Sequence, residues 1–152
     1  MRKDSINSDH VGEININYPS HQTYKDAKLN KETFDFRYEK LKHYIPEGSV
    51  CLDIGSHIGN FTLLFASCAG KEGKVLAFEP NPHCYEPLTE TVKDNPTLNI
   101  IPINVGCTEE TKKYTFNFAN DQYGHNNGGY YKESKNEANK HQPYNITINK
   151  TM

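Results

Sequence analysis

The stretch VCLDIGSHIGNFT, residues 50–62, decides the fold of this chain. A short apolar run ends in Asp53, and two glycines, Gly55 and Gly59, follow four positions apart. An amphipathic segment then begins near Asn60. This order is typical of a buried strand that turns sharply into a helix. We therefore predict a cofactor-binding loop between the strand and the helix.

The spacing of the loop indicates which cofactor it binds. A dinucleotide fingerprint reads G-x-G-x-x-G, whereas this loop reads D-x-G-x-x-x-G and has no lysine for a phosphate. An acid beside the loop suits S-adenosylmethionine, whose sulfonium and ammonium groups are positive. Its carboxylate fits at the N-terminus of the helix near Asn60, where free N–H groups and the dipole favour negative charge, and Gly59 permits the close approach. A nicotinamide enzyme with an aberrant loop is the disfavoured alternative.

A second apolar run, KVLAF at residues 74–78, ends in Glu79 and Pro80. An acid at the tip of the second strand is placed to accept hydrogen bonds from both ribose hydroxyls. The simpler alternative is a turn with a solvated glutamate. The order of strand, glycine loop, helix, strand and acid favours the nucleoside-binding interpretation.

The flanking segments complete an α/β pattern. Apolar residues recur at helical spacing from Lys31, and Asn81 can cap a later helix that has Pro82 at its first position. Residues 99–105 then read as a third strand, with Pro102 indicating an edge position. Alternating strands and helices with short links predict a Rossmann-like, doubly wound and mainly parallel sheet, whose strand tips share one edge.

Three segments carry a family resemblance. CLDIGSHIGNFTLLFA, GKVLAFEPNPHCYEPL and NIIPINVGC resemble the FkbM-type family of class I S-adenosylmethionine-dependent methyltransferases, whose members read DIGAN-x-G-x-x-T and then AFEPNP. The resemblance covers about residues 40–118, and the AFEPNP block at residues 77–82 is its most specific part. The chain departs from the family at Ser56 and His57, where Ala and Asn are commoner, and at Asn104, where a small residue is usual.

The motifs and the resemblance together predict the cofactor site. Asp53, Gly55 and Gly59 are expected to shape the methionine pocket, Glu79 to hold the ribose, and the third strand tip to border the adenine. The full predicted set is Asp53, Gly55, Ser56, His57, Gly59, Asn60, Glu79, Pro80, Asn104 and Val105. His57 is the one candidate for a catalytic base, although orienting the loop by a hydrogen bond is its favoured role.

Composition excludes several classes of function. The chain has 152 residues, 35% of them apolar, and a net charge of -2, which argues against a broad phosphate-binding face and so against nucleic acid as the substrate. No apolar run approaches membrane-spanning length and the N-terminus lacks the apolar core of a signal peptide, so we expect a cytoplasmic protein. The four cysteines show no C-x-x-C pairing, and we predict no metal site.

The two ends of the chain depart from the central pattern. Residues 1–30 are polar and are expected to form a flexible N-terminal arm with at most one short extended piece. Residues 31–152 are expected to form the N-terminal part of a class I methyltransferase domain, with strands over residues 113–118 and 144–149. Family members carry a D-V-E-G-like segment on a fourth strand, and this chain ends at Met152 before such a segment. We therefore expect an incomplete sheet that lacks its C-terminal strands.

The predicted reaction is methyl transfer from S-adenosylmethionine to an acceptor oxygen. The resemblance implies a hydroxyl on a sugar or secondary metabolite, so the expected partner is a small-molecule or carbohydrate acceptor. The alternative is a catalytically inactive or split module that binds S-adenosylmethionine. An open sheet edge would favour self-association or a partner chain that covers it.

Overall fold

Three parallel strands form the central sheet of the computed structural model, which describes residues 1–18, 29–107, 112–116 and 144–148. The elements in chain order are β1 Arg2–Ser8, β2 Gly12–Tyr18, α1 Lys31–Leu41, β3 Val50–Ile54, α2 Asn60–Ala69, β4 Lys74–Phe78, α3 Pro82–Lys93, β5 Ile100–Ile103, β6 Lys112–Phe116 and β7 Tyr144–Ile148. Strands β3, β4 and β5 lie side by side in that order. The predicted Rossmann-like α/β fold is confirmed.

The register of the sheet brings the three strand tips together. Ile54 pairs with Phe78, and Phe78 pairs with Ile103, so the last residues of the three strands lie at one level. Parallel strands with right-handed helical connections place the loops that follow them along one edge. The predicted site loops therefore meet at this edge.

The two faces of the sheet differ in how they are covered. On one face Val75 and Ala77 are fully buried and form one core with Leu63 and Leu88 of α2 and α3. The opposite face carries Val50, Leu52 and Ile54, which are 68, 59 and 65% exposed, together with the exposed Ile101. In the part of the chain that the structure describes, helices cover a single face, and the outer edge of β3 has no partner strand.

The N-terminal residues differ from the expectation of a flexible arm. Strands β1 and β2 form an antiparallel hairpin in which Arg2 pairs with Tyr18 and Ser8 with Gly12. Ile14, Ile16 and Tyr18 are buried in the main core. Burial of these three apolar side chains stabilises an ordered hairpin, even though most residues of the segment are polar. The prediction of a flexible arm is therefore wrong for residues 2–18. Residues 19–28 of the predicted arm lie outside the described residues.

Buried side chains of α3 and of the residues just after it hydrogen-bond to the hairpin. The backbone N–H of Asn15 donates to Oδ1 of Asn95 at 3.0 Å, and Nδ2 of Asn95 donates back to the Asn15 carbonyl at 2.7 Å. The N–H of Asn17 donates to Oγ1 of Thr91 at 2.9 Å. The outer edge of β2 is thus hydrogen-bonded by one side chain of α3 and by Asn95, which lies just after the helix. These bonds satisfy backbone groups that the hairpin alone would leave unpaired.

The C-terminal part holds two further strands. Strands β6 and β7 pair antiparallel, with Thr115 opposite Asn145, close to the predicted strands at residues 113–118 and 144–149. Residues 108–111, 117–143 and 149–152 lie outside the described residues. No helix that the structure describes is both long and apolar enough to cross a lipid bilayer.

The sheet face that no described helix covers predicts association in solution. Leu52→Glu places a charge at the centre of the exposed apolar row, so it should reduce self-association at high protein concentration by removing the apolar contact. Sedimentation velocity over a concentration series measures this. Tyr44→Glu changes another exposed apolar residue outside the sheet and should leave the association unchanged. A wild-type chain that stays monomeric throughout the series would contradict the prediction.

Candidate functional site

The loop after β3 lies against the tip of β4. The backbone N–H groups of Gly55 and Ser56 donate to the carbonyl of Phe78 at 2.9 and 3.0 Å, and the N–H of Glu79 donates to the carbonyl of Ile103 at 3.0 Å. These bonds continue the parallel ladder beyond the strands. The structure therefore brings the predicted residues of the first two loops together at one edge of the sheet.

Glu79 is buried at the centre of this edge. The residue is only 6% exposed. Its Oε2 accepts the backbone N–H of His57 at 2.8 Å, and its Oε1 accepts the N–H of Asn81 at 2.7 Å. Burial raises the pKa of the Glu79 carboxyl, and the two N–H donors oppose that shift. The predicted position at the strand tip is observed, and the bonds to the neighbouring loop are an addition that sequence reasoning missed.

His57 adopts a backbone conformation that few side chains tolerate. It is the one described residue other than glycine with a positive φ, at 53°, and the left-handed region costs a residue with a Cβ about 1–2 kcal/mol. Burial lowers the pKa of the imidazole, so the ring is neutral at neutral pH. The loop is therefore held in a strained conformation, and the observed strain lies at the predicted site.

Asp53 joins β3 to the helix that follows it. Its carboxylate is buried, and its Oδ2 accepts the hydroxyl of Thr62 at 2.5 Å. Burial raises the pKa of Asp53, with the Thr62 hydrogen bond opposing the shift. Sequence reasoning did not assign a role to Thr62, although a lone hydroxyl in the first turn of an apolar helix is a signal for such a bond.

The two glycines of the loop serve different purposes. A Cβ on Gly59, whose φ is +101°, would lie 2.9 Å from Cδ1 of Leu88 and 3.6 Å from Cγ2 of Thr91. A Cβ on Gly55, whose φ is +84°, would meet nothing within 4 Å. Gly59 therefore lets α2 pack closely on α3, while the backbone at Gly55 borders open space.

The remaining predicted residues lie along the same edge. The hydroxyl of Ser56 is buried between the carbonyls of Asp53 and Phe78, at 2.9 and 3.2 Å, so its side chain faces the protein. Asn60 is the first residue of α2, which has no side-chain cap. Val105 is half-buried beside β5.

Asn104 connects the third strand tip to the second. Its Nδ2 donates to the carbonyl of Glu79 at 2.7 Å and lies 3.4 Å from the carbonyl of Pro80. A small residue at this position could not make these bonds. The departure from the family pattern at Asn104 is therefore a structural link between β5 and β4.

No metal centre is found among the residues that the structure describes. No three of their His, Cys, Asp and Glu side chains are placed to hold an ion. All four cysteines are free thiols.

Comparison with protein families gives a match over much of the chain. The profile described as "Methyltransferase FkbM domain" matches residues 53–151, which is more than half of the chain. Comparison with curated proteins finds no match. The family match begins at Asp53 and contains every residue of the predicted cofactor site.

Solved structures with a similar fold include three methyltransferases. The precorrin-6y C5,15-methyltransferase from Geobacter metallireducens is 19% identical, with a TM-score of 0.46 over 55% of this chain and 42% of that one. A Clostridium thermocellum protein provisionally assigned as an rRNA methylase is 22% identical, with a TM-score of 0.43 over 52% and 45%. A Plasmodium falciparum protein provisionally assigned as a protein-L-isoaspartate O-methyltransferase, solved with S-adenosyl-L-homocysteine, is 21% identical, with a TM-score of 0.41 over 51% and 39%. The chain thus spans less than half the length of each.

The close approach at Gly59 predicts a loss of stability. Gly59→Ala should lower the free energy of unfolding more than Gly12→Ala does, because both glycines have positive φ but only Gly59 would press a Cβ against Leu88. The additional cost of overpacking is about 1–3 kcal/mol. Urea denaturation of both variants measures the difference. Equal losses would show that Gly59 serves only the backbone turn.

The buried carboxylate of Asp53 predicts a dependence of stability on pH. Its raised pKa means that the unfolded chain ionises first, so its contribution to stability is present below about pH 3.8 and is lost as the pH rises through the folded-state pKa. Asp53→Asn removes this loss and keeps an oxygen for Thr62, so its stability relative to the wild type should increase with pH.

Asp94 serves as a control because its pKa is shifted in the opposite direction from that of Asp53. A hydrogen bond from Asn17 and the neighbouring Lys3 lower the pKa of Asp94, so the stability it contributes is lost as the pH falls. Asp94→Asn should therefore become less stable relative to the wild type as the pH rises. Thermal unfolding from about pH 3 to 8 tests both variants, and parallel curves for Asp53→Asn and the wild type would contradict the account of Asp53.

Proposed function

The chain belongs to the FkbM family of methyltransferases, and we propose that it binds S-adenosylmethionine at the edge formed by the tips of β3, β4 and β5 and methylates a hydroxyl oxygen. The observation that carries the proposal is the open backbone at Gly55, which follows the buried Asp53 in the chain and hydrogen-bonds to Phe78, the residue before the buried Glu79. The proposed acceptor is a small molecule or carbohydrate.

The residues of the edge fit the parts of the cofactor. Each carboxylate oxygen of Glu79 accepts one backbone N–H and keeps a second lone pair, which suits two ribose hydroxyls. The first N–H groups of α2 have no side-chain cap and suit the carboxylate of the methionine moiety. Asn104 and Val105 are proposed to border the adenine from the third strand tip.

The protein's own contribution to the reaction is alignment and protection. Bound S-adenosylmethionine supplies a methyl group that is already activated by its sulfonium. The loop positions the donor, and the acceptor hydroxyl must lie in line with it in a site that excludes water. A base must take the hydroxyl proton. The proposed role of His57 is to orient the loop by a hydrogen bond.

A second candidate function is a module that binds the cofactor without turnover. The chain spans less than half the length of the solved structures reported above, so the activity of the whole protein is a proposal.

The exclusion of nucleic acid as an acceptor rests on the net charge of -2. Including RNA beside hydroxyl acceptors in a methylation assay tests that exclusion directly.

Ligand binding tests the proposed cofactor. In calorimetry, S-adenosylhomocysteine should bind more tightly than NAD, because the loop spacing suits an aminoacyl nucleoside and lacks the pyrophosphate fingerprint. Gly55→Val should abolish binding by filling the open space beside the backbone. Gly12→Val shares a positive φ and open surroundings but lies in the hairpin, so it should bind normally. Tighter binding of NAD would overturn the assignment.

A further inference from the structure

We propose that Glu79 is a positioning residue that fixes the conformation of the loop after β3 before any ligand arrives. The expected effect on cofactor binding rests on the proposed function. The expected effect on the loop concerns only hydrogen bonds within the protein. The two effects are therefore tested by separate measurements.

The carboxylate of Glu79 contacts two different loops. Its Oε2 accepts the N–H of His57 in the first loop and its Oε1 accepts the N–H of Asn81 in its own loop. Both bonds run from a main-chain donor to a charged acceptor in a buried environment, where such bonds are strong. The side chain therefore connects the loops after β3 and β4 directly.

The hydrogen bond from His57 to Glu79 involves the residue whose backbone conformation is unfavourable. With φ at 53°, His57 lies in the region that residues with a Cβ avoid. The N–H of His57 reaches Glu79 in this conformation, so the carboxylate favours the left-handed backbone over the alternatives. The left-handed conformation of His57 in turn sets the directions of the neighbouring amide groups in the loop.

The backbone of Glu79 is itself fixed from the other side. Its N–H donates to the carbonyl of Ile103 at 3.0 Å, and its carbonyl accepts Nδ2 of Asn104 at 2.7 Å. The side chain thus projects from a residue anchored to β5 and reaches the loop after β3. Hydrogen bonds therefore connect the tip of β5 to Glu79 and Glu79 to His57.

A different role for Glu79 is contact with the ribose alone. In that case its replacement would weaken ligand binding but leave the ligand-free loop unchanged. The positioning role instead requires that replacing Glu79 changes the loop even when no ligand is bound. Amide hydrogen exchange of the ligand-free protein separates the two roles because it reports the bonds of His57 and Asn81 without any cofactor.

The experiment compares two substitutions with one control. Glu79→Gln has one acceptor oxygen for two N–H donors, and Glu79→Asp keeps the charge but is one methylene too short to reach both. In each variant, exchange of the His57 or Asn81 amide should be about tenfold faster or more, as expected for the loss of a hydrogen bond to a charged group. Glu86→Gln removes an exposed glutamate of α3 and should leave both amides unchanged.

Two outcomes would overturn the positioning role. One is unchanged exchange at both amides in either folded variant, as judged by circular dichroism. The other is equal acceleration across the whole protein, which would indicate general loss of stability. If one variant does not fold, the other supplies the measurement.

The binding measurement uses S-adenosylhomocysteine as the probe. Glu79→Asp should bind it about tenfold more weakly or worse, because part of the binding free energy must now order the loop, and saturating ligand should slow the exchange of His57 again. Unchanged affinity together with faster exchange would overturn the link to binding. A wild-type protein that does not bind the probe would overturn the proposed function, and the exchange result in the ligand-free protein would still stand.

Discussion

A buried carboxylate at the edge of the sheet is the constraint on which the site depends. An ionised group in the interior must be compensated by hydrogen bonds, and the donors for Glu79 are main-chain N–H groups of His57 and Asn81. Main-chain donors cannot rotate away as side chains can, so they hold the two loops at a fixed separation. Asn104 and the ladder bonds of the strand tips then extend the same frame to β5.

The central part of the fold could be predicted because its signals are local. An apolar run, an acid and a glycine turn define β3 and the start of α2, and Asn81 followed by Pro82 marks the first turn of α3, where Asn81 Oδ1 accepts the N–H of His83. The positions of Asp53 and Glu79 at strand tips follow from the same patterns. The partners of those carboxylates could not be predicted, because they depend on how the strands lie beside each other.

The N-terminal hairpin shows why composition alone misled the prediction. Asn15 and Asn17 count as polar residues in any sequence average, yet both are buried and find hydrogen-bond partners in α3 and in the two residues that follow it. Gly59 is a similar case, since its need for a missing Cβ comes from Leu88 of another helix. Distant partners decide the role of each of these residues, and sequence reasoning has no access to them.

The bonds between Asn15 and Asn95 also bear on how the chain is made. They join residues 80 positions apart, so the hairpin leaves the ribosome long before the helix against which it packs. At a synthesis rate of about 5–20 residues per second, it waits roughly 4–16 seconds with Ile14 and Ile16 uncovered. Closing such a long loop is an entropic cost that is met late in folding. The nascent chain therefore passes through an interval in which chaperone contact at residues 2–18 competes with its own α3.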